Sequence, residues 1–290
     1  MWKIILSIAA ISIVGIAVLF LVFNLIIRRI FHLPPIKNPS TPADFGFDYN
    51  EYFIPTTHHK KIQVWDLNPQ IDAPVLIGVH GWANTSASLL PLAKFLSGRW
   101  RIVLLNTRNH GDSDWEGYST MPHYAEDILS TVRFVSEQHL PGKPLVLLGH
   151  SMGAASSIYA AGKDRRVKGV VSIASFANIK EMMHDGFVKN KLPGLLIQAL
   201  LTYIEFRIGE KLQHLSPEYS ITQLNVPVLL IHGDQDSVVP FSDMERIFQA
   251  GRQGQVEKYA VAGQNHSSLL AEESVAERID RFLSLKFNRS

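Results

Sequence analysis

Cysteine is absent from this 290-residue chain, and with it go disulfides, thiolate nucleophiles and thiolate metal sites. The absence suits a reducing or an oxidising compartment equally, so location must be read from other features. Acidic residues are missing from positions 1–37, which carry Lys3, Arg28, Arg29 and Lys37. Setting those four aside leaves 24 basic residues against 26 acidic ones, so the formal charge of +2 conceals a slightly acidic body. Such a body offers no basic stripe to follow a phosphate backbone, which excludes nucleic acid as the main partner. Charge is scarce overall, at 19% against 46% hydrophobic residues. That balance is too apolar for a disordered chain and sufficient for one large buried sheet. No internal repeat is present.

What the chain does have is an uncharged run from Ile4 to Ile27, broken only by Ser7, Ser12 and Asn24 and closed by Arg28-Arg29. As a helix it spans about 36 Å, enough for the roughly 30 Å hydrocarbon layer of a bilayer. A cleaved signal peptide has a shorter apolar region ending at small residues, so residues 1–29 are expected to be an uncleaved single-pass anchor holding the protein to a membrane. Positive charge after the run exceeds that before it, which favours a cytoplasmic body. Residues 30–49, with Pro34, Pro35, Pro39 and Pro42, resist helix and are expected to be an extended tether. Residues 50–290 then form the folded domain.

Within that domain short β-rich runs alternate with helical patterns, the order of a mostly parallel sheet flanked by helices. Eight strands are expected: 52–56, 61–67, 75–80, 101–106, 144–148, 167–173, 228–232 and 256–261, the first two antiparallel about a turn at Thr57–Lys60. Helical patterns fall near 86–96, 121–138, 152–161, 241–249 and 267–285. The stretch 178–224 has no strand pattern and reads as an inserted helical cap. Its segment Leu195–Ile208 is apolar on nearly every side, as expected of a helix packed on the core, lining an acyl pocket or touching lipid.

Gly149-His150-Ser151-Met152-Gly153 joins the apolar run 145–148 to a small-residue helical run. This strand, turn and helix context lifts a serine hydroxyl above the strand end, and the flanking glycines let neighbouring backbone approach. Ser151 is therefore the candidate nucleophile. A serine needs an imidazole to take its proton at neutral pH. Of the 12 histidines only His232 and His266 lie beyond the cap, and Asp234 and Asp236 both stand in the turn where a carboxylate could hold an imidazole's tautomer.

In these motifs the chain resembles the α/β-hydrolase superfamily, in its serine esterase and lipase-like branch, from about residue 50 to residue 286. His80-Gly81-Trp82 is similar to the family's oxyanion loop, Arg108-Asn109-His110-Gly111-Asp112-Ser113 to its R-G-H-G-x-S segment, and His232-Gly233-Asp234-Gln235-Asp236 and Gly263-Gln264-Asn265-His266 to its acid and base loops. The resemblance implies an α/β fold of that type. It implies the chain order serine, acid, histidine, which selects His266 because His232 precedes the acids; it selects Asp236 over Asp234, and it implies an oxyanion hole from the backbone N–H groups of Trp82 and Met152. Asn106, where many relatives have an acid, and Asn109, in place of a glycine, depart from the pattern.

The activity expected is hydrolysis of an ester-like acyl bond through an acyl-enzyme, on a small-molecule or lipid-derived substrate, with no cofactor and no metal. A peptidase, thioesterase or acyltransferase would use the same residues, and an inactive binding scaffold at the membrane is the alternative of another class. The adjacent His58 and His59 read as solvated turn residues rather than a metal or anion site. His80, His110 and His150 read as loop-shaping hydrogen-bonding groups. Oligomeric state is not legible.

Overall fold

A computed structural model describes residues 2–287. Eight strands form one sheet in the order β1-β2-β4-β3-β5-β6-β7-β8: β1 (Tyr49–Pro55), β2 (Lys61–Leu67), β3 (Val75–Val79), β4 (Arg101–Leu105), β5 (Leu145–His150), β6 (Val167–Ile173), β7 (Val228–Gly233) and β8 (Val256–Val261). β1 pairs antiparallel with β2 and β2 antiparallel with β4; every later pairing is parallel.

The helices are α1 (Trp2–Ile30), α2 (Leu90–Leu96), α3 (Met121–Phe134), α4 (Met152–Ala161), α5 (Ile179–Lys189), α6 (Gly194–Ile208), α7 (Leu212–Leu215), α8 (Pro217–Ser220), α9 (Phe241–Ala250) and α10 (Glu273–Phe287). Every residue of β3, β4, β5 and β7 is buried, which is why these strands read as continuous apolar runs. Successive side chains still leave on opposite faces. Ile77, Val103 and Leu147 pack with Tyr124 and Ile128 of α3 and Ile158 of α4. Leu76, Leu104 and Leu148 pack on the other face with Leu90 of α2 and Ile279 and Phe282 of α10. β8, at the sheet edge, exposes every second side chain in its middle.

Between β6 and β7 the chain is helical throughout α5 to α8, and no strand occurs there. α6 buries Ile197, Leu200, Leu201, Tyr203 and Ile204, while Leu195 and Phe206 are 86% and 71% exposed. α1 stands outside the body with no buried residue and is long and apolar enough to cross a membrane. Its second half meets α6, where the rings of Phe20 and Phe23 lie 5.4 and 5.5 Å from that of Tyr203, edge to face.

The proline-rich segment after α1 is extended but pinned. Leu33 and Phe47 are buried, and Ile36 N–H donates to the Asn109 carbonyl at 3.1 Å while Gly111 N–H donates to the Ile36 carbonyl at 2.7 Å. The segment therefore works as a short edge strip against the loop after β4 rather than as a free spacer.

Candidate active site

The turn from β5 into α4 is built around Ser151, whose φ of 54° and ψ of −118° put a non-glycine residue in strained backbone. The turn is tight because helix and strands approach at glycines. A Cβ on Gly149 would lie 2.3 Å from the Gly153 carbonyl oxygen, and one on Gly153 would lie 2.4 Å from the Val79 carbonyl oxygen. Both contacts are closer than side chains tolerate, so the glycines of the motif are steric requirements. Ser151 N–H donates to the Ile173 carbonyl at 2.8 Å, fixing the turn to β6.

His266 and Asp236 arrive on the loops after β8 and β7. His266 Nδ1 lies 2.7 Å from Asp236 Oδ2, whereas Asp234 Oδ1 accepts the backbone N–H of Gly263 at 2.7 Å. The structure thus brings Asp236 to the imidazole and leaves Asp234 as a brace between the two loops. Asp236 Oδ1 accepts the N–H groups of Val238 and Val239 at 2.8 and 2.9 Å, and His232 Nε2 stands 3.2 Å from its Oδ2. Burial by itself would raise this carboxyl, but the hydrogen bonds from His232, His266 and Val239 outweigh it and hold the group well below the usual carboxylate range. Asp236 is therefore a permanent anion at neutral pH.

His150, next to the serine, has its Nε2 2.8 Å from the His266 carbonyl oxygen, and the two rings lie 4.8 Å apart. Burial, with His266 nearby, pushes its imidazole down to about 4, so it is neutral. A proton on Nε2 then donates to that carbonyl and holds the base loop beside the serine. Among the described residues no hydrogen bond joins Ser151 Oγ to the His266 ring.

On the other side of the serine runs the loop His80-Gly81-Trp82. A Cβ on Gly81 would lie 3.2 Å from the Ser151 Cβ, so this loop passes directly over the nucleophile position. The Gly81 carbonyl accepts from Tyr124 Oη at 3.1 Å, from His80 Nδ1 at 2.8 Å and from Asn84 N–H at 3.3 Å. In a trans peptide the N–H points opposite to the carbonyl, so these bonds also aim the Trp82 N–H. Neither the Trp82 nor the Met152 backbone N–H has a hydrogen-bond acceptor among the described residues, the latter because it opens α4. Two free donors therefore flank Ser151.

The departures from the motif are accommodated. Asn109 has a φ of 72°, a left-handed conformation that asparagine tolerates better than other side chains. Its side chain accepts the N–H groups of Glu116 and Gly117 at 2.5 and 3.2 Å and donates to the Tyr118 carbonyl at 2.7 Å. Asn106 bridges Ser86 N–H and Gln63 Oε1, both at 2.7 Å. His80 and His110 are buried and depressed by that burial, that of His110 to about 4; they shape the loops around Tyr124 and Thr107. His232, His150 and Tyr124 act as supports that the sequence does not reveal by spacing.

Residues 74–196 match the family described as the alpha/beta hydrolase fold. A Pyrococcus furiosus esterase has a superposable structure, with a TM-score of 0.70 at 19% identity, covering 89% of this chain and 97% of that one. The chain has the α/β-hydrolase fold. It is also similar to a Haemophilus influenzae protein named as an esterase/lipase, 31% identical over 124 residues, 40% of this chain and 41% of that one. A lysophosphatidylserine lipase of Danio rerio is 27% identical over 264 residues, 79% of this chain and 66% of that one. Neither match spans two thirds of the relative.

Proposed function

We propose that this α/β-hydrolase is a serine esterase or lipase, tethered to a membrane by α1, that cleaves a carboxylic ester of a hydrophobic, lipid-derived substrate. The observation that carries the reading is the 2.7 Å contact of His266 Nδ1 with the buried Asp236, on loops beside the strained Ser151 turn. With Asp236 ionised, Nδ1 keeps its proton and Nε2 is the free base, the tautomer a serine nucleophile requires.

In the reaction His266 Nε2 takes the Ser151 hydroxyl proton as Oγ attacks the ester carbonyl. The tetrahedral oxyanion is held by the N–H groups of Trp82 and Met152, and the leaving alcohol receives the proton from His266. Water then enters by the same route, with His266 as base, and releases the acid from Ser151. Substrate binding completes the Ser151 to His266 hydrogen bond, since such contacts are often long in the free enzyme.

A lipid-derived substrate is supported by α6, the main helix of a cap over the sheet. It buries one side on the core, exposes Leu195 and Phe206, and packs against the membrane-length α1. The Danio rerio relative is named as a lipase, which agrees. We read α1 as retained and the body as cytoplasmic, from Arg28, Arg29 and Lys37 behind the apolar run.

The test uses purified full chain in detergent, with and without Ser151→Ala. A fluorescent fluorophosphonate should label only the wild type, and hydrolysis of p-nitrophenyl esters should rise from acetyl to dodecanoyl. Labelling that survives in the variant refutes Ser151, and activity that falls with acyl length refutes the lipid-derived substrate.

A further inference from the structure

Away from Ser151, three ligand-type side chains converge where the β1–β2 turn, the loop after β4 and the start of α3 meet. One ligand atom from each of His58, Glu116 and His123 lies within 4.8 Å of the others. His58 holds a left-handed backbone, with φ of 55°, and its Nδ1 is 2.6 Å from Glu116 Oε1. His123 is 6% exposed, and its Nδ1 is a buried atom with no hydrogen-bond partner among the described residues. A buried imidazole nitrogen left unpaired is costly in a folded protein.

Charge points the same way. Arg108, whose side chain is wholly buried, is surrounded by three carboxylates, Glu116, Glu126 and Asp127, at 2.8, 3.0 and 2.7 Å. One guanidinium leaves two negative charges uncompensated. A neutral imidazole offers a lone pair, and the carboxylate of Glu116 is oriented by Arg108 Nη1 as an outer partner orients a metal ligand.

We propose that His58, Glu116 and His123 form a binding site for a divalent transition-metal ion, with zinc the closest chemical fit. Two imidazoles and one carboxylate are a donor set that zinc accepts, with a fourth position left for water. A cavity of about 300 Å³ lined by His58 and His123 provides room for it. Around a zinc ion the ligand atoms sit about 3.3 Å apart. Around zinc the 2.6 Å between His58 Nδ1 and Glu116 Oε1 would open and the wider separations, up to 4.8 Å, would close. With the ion on His58 Nδ1, the proton between it and Glu116 moves to His58 Nε2 or is released to solvent. The ion would clamp the β1–β2 turn to α3 and is independent of the ester chemistry proposed for Ser151.

The experiment is calorimetric titration of zinc chloride into full-length protein in detergent, carried on a tag without histidines and stripped with EDTA. About one zinc per chain is expected, with a dissociation constant of roughly 10 µM or tighter. His58→Ala and His123→Ala should each weaken it about 10–100-fold or more. His184→Ala, beside exposed Asp185, should leave it unchanged. His58→Ala should fold with a zinc-free melting temperature lowered only by the few degrees that the lost hydrogen bond to Glu116 accounts for, and should lose the rise on adding zinc. Wild-type protein that takes up no zinc at 100 µM, or variants that bind it as the wild type does, would overturn the proposal.

Discussion

Tyr124→Phe isolates the aim of one backbone N–H. The Tyr124 side chain is fully buried, and its hydroxyl donates to the Gly81 carbonyl, in the same peptide unit as the Trp82 N–H. Phenylalanine keeps the ring and removes that bond, while His80 and Asn84 still satisfy the carbonyl. One hydrogen bond contributes about 0.5–1.5 kcal/mol. If that energy now holds the Trp82 N–H on the oxyanion, its loss slows turnover about 2- to 12-fold, at 1.36 kcal/mol per tenfold. Complete loss of the donor sets the ceiling, at about 10²–10³. The substrate carbonyl carries little charge before attack, so kcat should fall with KM within about twofold. The assay is steady-state hydrolysis of one p-nitrophenyl ester by both proteins, with melting curves to register the accompanying loss of roughly 2–4 °C. An unchanged kcat in a variant with the lowered melting temperature would show that backbone alone holds the Gly81–Trp82 peptide, and the argument would fail.

Asp236→Asn should reduce kcat by about 10⁴ by reversing the tautomer preference of His266, whereas Asp234→Asn, which keeps an acceptor for Gly263 N–H, should stay within a few-fold. Steady-state kinetics of the pair decides the acid, and equal losses would reverse the assignment. Stability should fall on acidification through a specific window. His110 and His150 are held at about 4 by burial, so between about pH 6.5 and 4 the unfolded chain binds protons that the folded one refuses. Their contribution is full above 6.5 and is lost as the pH drops, by about 3 kcal/mol each at most. Asp236, whose folded form stays ionised, loses its contribution as the pH falls toward and below its ordinary value of 3.8, so it adds little to the slope above about pH 5. Chemical denaturation at pH 7.5 and 5.0 measures the change, and a flat profile would contradict the burial of these imidazoles.

Legibility in the sequence followed locality. β6 and β8 span the residues expected from their strand patterns, and α4 spans the small-residue run after Ser151. Gly149 and Gly153 are readable because their constraint lies between immediate backbone neighbours. Asn109 is readable after the fact for a similar reason, since asparagine is the side chain that substitutes for glycine at positive φ. The packing of the proline-rich segment was not legible, because Ile36 pairs with Asn109 and Gly111 across more than seventy residues of sequence. The apolar residues among the prolines, Leu33, Ile36 and Phe47 among them, were the hint of burial.

The supports of the candidate site share that property. His150 reaches the His266 carbonyl across 116 residues and Tyr124 reaches Gly81 across 43, so no spacing rule exposes them. Their physical signature is different: each is a buried polar side chain with a definite acceptor. His150 Nδ1 and His123 Nδ1 are both buried without a partner, but His150 at least places its other ring nitrogen on the His266 carbonyl, whereas the His123 ring makes no hydrogen bond among the described residues. The same accounting that explains His150 and Tyr124 as positioning groups leaves His123 unexplained by the protein alone. An external ligand held with His58 and Glu116 would resolve that imbalance, and the adjacent His58 and His59, read in the sequence as solvated turn residues, carried no sign of it because Glu116 and His123 lie more than fifty residues away.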